Sequence, residues 1–176
     1  MKIKKVMFKL VFKTGSLTFM LMLFSFHYAS TQVKFNRNIP DEAHNKISDY
    51  LKYGISTFAF TPKGGWVIVT NNGKSFARNI PDECYKKMNE FLKKGHKIKH
   101  ISFPPKGGNS WLIITDRDMF ARNIPNNCYQ KLLEYKKQGK AINMVAFPTK
   151  RSSDDSWVIL RDDGQFFARN IDDECY

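Results

Sequence analysis

The chain has 176 residues and a formal net charge of +13, with 29 Lys and Arg against 16 Asp and Glu, and three cysteines. No C-x-x-C pair, G-x-S-x-G, H-E-x-x-H, P-loop or G-x-G-x-x-G occurs, which excludes the readily recognised zinc, hydrolase and nucleotide sites. The excess of base favours anionic partners such as envelope polymers, phospholipid head groups or nucleic acid, and carries no information on fold.

Residues 1–30 read as a secretory signal peptide. Lys2, Lys4, Lys5, Lys9 and Lys13 precede an apolar run of 10 residues from Leu17 to Phe26, and His27-Tyr28-Ala29-Ser30 offers small residues for cleavage. An uncleaved anchor is the weaker reading, because the run falls short of the roughly 20 residues a membrane span needs. Cleavage leaves 146 residues, enough for a single domain with its own core. Removing five lysines and no acid takes the charge from +13 to +8. The expected location is secreted or periplasmic, with no stable membrane span once the segment is cleaved.

From residue 31 the chain repeats. The blocks Phe35-Asn36-Arg37-Asn38-Ile39, Phe76-Ala77-Arg78-Asn79-Ile80, Phe120-Ala121-Arg122-Asn123-Ile124 and Phe167-Ala168-Arg169-Asn170-Ile171 place their arginines 41, 44 and 47 residues apart. A period of that size predicts stacked units that bury apolar faces against their neighbours. The chain opens on a lone strand, Val33 to Ile39. After Pro40, Pro81 and Pro125 come amphipathic helices, with apolar residues at Ala43, Ile47, Tyr50 and Leu51, at Cys84, Met88, Phe91 and Leu92, and at Cys128, Leu132 and Tyr135. Proline suits a first helical turn, and Asp41-Glu42 and Asp82-Glu83 match the positive end of the dipole. Gly54, Gly95 and Gly139 stand where a left-handed stop is wanted. Two strands follow each glycine, joined by a Pro/Lys loop, the second opening at Trp66, Trp111 or Trp157. A turn such as Asn72-Gly73 or Asp163-Gly164 leads to the third strand, which carries the Arg-Asn block.

The expected fold is α+β, built from tandem strand-strand-strand-helix repeats of about 41–47 residues, each antiparallel hairpin covered by one helix, in a solenoid-like or propeller-like array. A WD-type propeller has a similar period but fits less well, having four strands per blade and no covering helix. The last helix is reduced to Asp172-Asp173-Glu174-Cys175-Tyr176, so the array is either truncated there or capped by this stub.

Cys84, Cys128 and Cys175 share one repeat position, held by Ala43 in the first copy. That predicts a small buried slot and free thiols, since equivalent positions in successive units lie too far apart for a disulfide. His96 and His100 could share a strand face as two metal ligands, but no third ligand is apparent, and plain surface histidines are the simpler reading. Neither a cofactor nor a catalytic residue is expected. The repeated Arg37, Arg78, Arg122 and Arg169 and the tryptophans Trp66, Trp111 and Trp157 are the informative side chains. On a strand, Arg78 shares a face with Phe76 and Ile80, which predicts a packed guanidinium paired with an acid of the following helix or stacked on the tryptophan. Asn38, Asn79, Asn123 and Asn170 are expected at or next to the helix N-cap. The alternative for the arginines and tryptophans is a row lining a groove for an extended anionic or sugar ligand.

The pattern F-x-P-x-G-G-W, a turn, then A-R-N-I-P resembles tandem repeats of exported bacterial proteins. It spans nearly all of residues 33–176, departs from the pattern at Ser152-Ser153-Asp154-Asp155, and implies no activity. Repetition suits a binding surface better than a catalytic centre. The leading expectation is therefore an exported, non-catalytic repeat module for binding or scaffolding, with an anionic envelope polymer, a glycan or a protein as partner. An envelope enzyme or its accessory domain is the second reading. A binder of anionic polymers or nucleic acid is the third, with no specific nucleic acid expected.

Overall fold

A computed structural model describes residues 39–105, 108–148 and 155–171, all within one compact unit. The expected lone strand from Val33, Arg37, Cys175 and the rest of the C-terminal stub lie outside these residues, as does the expected signal peptide.

The fold is mixed α+β. Helix α1 (Asp41–Tyr50) runs into a short 3-10 turn (Leu51–Tyr53) and a first sheet of β1 (Ile55–Phe60), β2 (Trp66–Thr70) and β3 (Ser75–Arg78). Helix α2 (Asp82–Lys93) precedes β4 (Ile98–Ser102), β5 (Trp111–Thr115) and β6 (Met119–Arg122). Helix α3 (Asn126–Lys137) precedes β7 (Ile142–Ala146), β8 (Trp157–Arg161) and β9 (Phe166–Arg169). Each sheet is antiparallel and has its strands in sequence order, so β2, β5 and β8 are central. The same register recurs: Trp66 pairs with Arg78, Trp111 with Arg122 and Trp157 with Arg169. The same irregularity recurs in each first strand, at Ser56, Lys99 and Asn143.

Helix ends follow their sequence signals. Gly95 (φ 74°) and Gly139 (φ 67°) adopt the left-handed conformation. The N–H of Gly95 donates to Leu92 and that of His96 to Phe91, both at 3.0 Å, which closes the last turn. The starts differ from expectation. Pro40, Pro81 and Pro125 occupy the N-cap itself, and no side chain caps the helix. The asparagines stand two residues earlier, with Asn79, Asn123 and Asn170 at φ of 50–52°. Asparagine tolerates this left-handed turn better than most residues, and at Asn79 and Asn123 it swings the chain from the outer strand into the next helix.

Each helix packs on the sheet that follows it. Ala43 of α1 closes over Trp66 and Ile68. Two helices also reach backward. Cys84, Met88 and Phe91 of α2 share a core with Trp111 and Ile113 ahead and with Val67 and Val69 behind. In the same way α3 joins Trp157 and Ile159 to Leu112 and Ile114. Every residue of β2 and β5 is consequently buried, which is why these strands read as unbroken apolar runs. Side chains from one first strand bond to the next first strand. The Ser56 hydroxyl donates to the Ile98 carbonyl, Thr57 Oγ1 accepts the Ile101 N–H at 3.3 Å, and His100 Nε2 lies 2.9 Å from the Val145 carbonyl.

Candidate functional site

The three tryptophans are core residues, each 1% exposed. An indole buries roughly 200 Å², so at about 25 cal/mol per Å² each contributes up to about 5 kcal/mol. None offers a surface to a ligand in this arrangement. Their stacking partner is a phenylalanine two residues before the arginine, not the arginine itself: Trp66 on Phe76, Trp111 on Phe120 and Trp157 on Phe167, with centroids 5.2–5.4 Å apart and planes at 22°. A lysine of the preceding helix lies over each phenyl ring, Lys46 over Phe76 at 5.1 Å, Lys87 over Phe120 at 4.6 Å and Lys131 over Phe167 at 4.8 Å. Each lysine also reaches an acid three residues on, Asp49, Glu90 or Glu134. Lys87 and Lys94 together hold the Glu90 carboxyl down to about 2. This column of indole, phenyl and ammonium was missed in the sequence. Its signal was a lysine at one helix position, an acid three later and the phenylalanine before Ala-Arg.

Arg78, Arg122 and Arg169 are exposed, contrary to the expected packing. They end β3, β6 and β9, the last strand of each sheet. Arg78 pairs with Glu42 and Arg122 with Glu83. Both acids belong to the preceding helix, where the following helix was expected. The Arg78 side chain keeps 57% of its surface, and an exposed pair contributes at most about 1 kcal/mol.

The third sheet breaks the pattern. Asn127 stands where Glu42 and Glu83 stand, and its Oδ1 accepts the Trp157 Nε1 hydrogen at 2.7 Å. In the second sheet Glu83 serves Arg122, and the buried Trp111 Nε1 has no partner among the described residues. One helix position thus serves either the indole or the guanidinium. Among the described residues no acid stands at that helix position for Arg169.

Other candidates lie apart from this row. Burial pushes the Cys84 and Cys128 thiols up to about 12, and both are free. His96 leans on Phe91 and approaches Thr115 Oγ1 at 3.3 Å, whereas the half-buried His100 turns to Val145, so the two histidines do not converge. Among the described residues no three His, Cys, Asp or Glu gather as metal ligands would. A cavity of about 250 Å³ between the β5–β6 turn and the end of α3 is edged by Lys99, Asp116, Asp118, Lys136 and Lys140. Its charges are largely paired: Lys99 with Asp162 at 2.9 Å and Lys136 with Asp118 at 2.6 Å. Among the described residues no helix is long and apolar enough to cross a membrane.

Comparison with protein-family models, with curated proteins and with solved structures finds no match.

Proposed function

We propose that the protein is an exported, non-catalytic binding module that presents a copied row of cations and aromatic edges to an extended anionic polymer. The observation that carries this reading is the recurrence of Arg78, Arg122 and Arg169 at exposed outer-strand positions, each two residues from a phenyl ring under a lysine. A buried packing residue would need its environment, whereas an exposed guanidinium recurring at one register costs the fold little to change and gives an acidic chain a regularly spaced partner. The units form a solenoid-like or propeller-like array that sets this spacing. Residues 1–30 direct export to the envelope or beyond, and the remaining charge of +8 draws polyanions to the surface.

The test is binding of the chain to a polyuronate, polyphosphate and a neutral glucan over a salt series. Binding of both polyanions that weakens steeply with salt, with none of the glucan, is expected. Equal binding of the neutral polymer, or indifference to salt, would replace the cationic row with another surface.

A further inference from the structure

The joint between the second and third units is not a copy of the joint before it. In the earlier one, Leu92 near the end of α2 lies under the β2–β3 turn, 3.9 Å from where a Cβ on Gly73 would stand, and it packs against the core there. In the later one, the same helix position holds Lys136, which is exposed and turns to Asp118 at 2.6 Å. The turn above it is also shorter, with three residues between Thr115 and Met119 where four separate Thr70 from Ser75. A leucine and one turn residue are thus absent where the cavity of about 250 Å³ opens between the β5–β6 turn and the end of α3.

The floor and the rim of this cavity differ in chemistry. Ile114, Leu132 and Ile142 form the floor, and all three are buried. Asp116, Asp118 and Lys140 stand on the rim. The Lys97 N–H beside Asp116 and the Lys136 ammonium beside Asp118 hold the two carboxyls below the usual carboxylate range, so at neutral pH each only accepts hydrogen bonds. Each keeps an oxygen for a further donor. Asp118 takes the Met119 N–H and Lys136 on Oδ1, and Asp116 takes the Lys97 N–H on Oδ1, with Arg117 no nearer than 3.6 Å to its Oδ2. Among the described residues no ion pair engages Lys140, whereas Asp162 holds Lys99 and Asp118 holds Lys136.

A ligand that fits must bring hydroxyl donors for two carboxylates, an anionic group for one lysine and an apolar face for the floor. A simple anion such as phosphate has no apolar face. An ammonium would meet Arg117 or Lys136 beside either acid. Pockets for drug-sized ligands begin at about 300 Å³, so this one admits about one sugar ring. We propose that the cavity binds a single uronate residue, its C–H face on Ile114, Leu132 and Ile142, its carboxylate at Lys140 and its hydroxyls donating to Asp116 and Asp118. The proposal rests on the reading of the protein as a polyanion binder and narrows the polymer to an acidic polysaccharide.

Titration of the chain with galacturonate, galactose and inorganic phosphate, followed by amide NMR, tests this. Galacturonate should shift the signals of Asp116 to Met119 and of Gly139 to Ile142 and reach saturation. Galactose should bind the same residues about 10-fold more weakly, for want of the charged contact, and phosphate should not move them. Lys140→Gln should bring galacturonate down to the level of galactose. Lys136→Leu restores the residue that Leu92 supplies in the earlier joint, so it should fill the cavity and abolish the response to either sugar. A melting curve checks that Lys136→Leu folds, and Lys140→Gln, at an exposed position, decides the matter if it does not. Changing Arg78, Arg122 and Arg169 to glutamine should leave galacturonate binding intact, so loss of polyuronate binding there with the monosaccharide retained strikes the arginine row and not the cavity. No saturable response to galacturonate, an equal response to phosphate, or galacturonate binding that survives Lys136→Leu in the folded protein or is indifferent to Lys140→Gln would overturn the proposal.

Discussion

Trp111 and Trp157 occupy the same place in successive sheets, with the same exposure and the same phenylalanine stack, yet trimming each to phenylalanine should have different consequences. The lost apolar volume is common to both and cancels in the comparison. At Trp157 the change removes the hydrogen bond to Asn127 Oδ1, worth about 1 kcal/mol net. At Trp111 it removes a buried donor that has no partner, relieving a penalty of about 1–3 kcal/mol. Trp157→Phe should therefore cost about 2–4 kcal/mol more than Trp111→Phe in urea denaturation. Glu83→Asn supplies the second sheet with the amide that the third already has, so it should stabilise the protein and make Trp111→Phe as costly as Trp157→Phe. Equal losses from the two tryptophan changes, with no response to Glu83→Asn, would refute the idea that one helix position serves either indole or guanidinium.

Gly65→Ala should destabilise by about 1–3 kcal/mol or more, since an added Cβ would lie 2.0 Å from the Asn79 carbonyl oxygen; a melting curve decides it. Cys84 and Cys128 should resist alkylation until denaturant is added, as buried thiols pushed up to about 12 supply almost no thiolate; mass spectrometry of the folded protein reads this directly. Burial holds His100 below its ordinary value of 6.5, outweighing the hydrogen bond to Val145. The unfolded chain then binds the proton more readily, so its contribution is complete above about pH 6.5 and declines as pH falls below it. Stability measured from pH 7.5 to 5 should drop, and His100→Gln, which keeps a donor for Val145, should flatten that part of the decline.

Much of the secondary structure was legible because local chemistry dictates it. The helix stripe from Cys84 to Leu92, the glycine stops and the strand openings at tryptophan are signals within one element. The layering was not legible, because Val67 and Val69 look no different from Trp66 and Ile68 until a helix is known to lie on each side. Likewise, alternation correctly put Arg78 on one face with Phe76. It could not reveal that β3 is an edge strand whose arginine stays exposed, nor that the matching acid comes from the helix before the hairpin. These facts depend on strand order and on which neighbour packs, and no short window encodes them. The phenyl–lysine column was visible as a recurrence and could have been found by aligning the copies position by position.

The most direct measurement is polyanion binding and thermal stability of one variant in which Arg78, Arg122 and Arg169 are all changed to glutamine. Among the described residues two exposed ion pairs are lost, so the melting temperature should move little, while affinity for a polyuronate and its dependence on salt should both fall sharply. Unchanged binding would contradict the role given to the arginine row, and a collapse of the fold would return the arginines to structure.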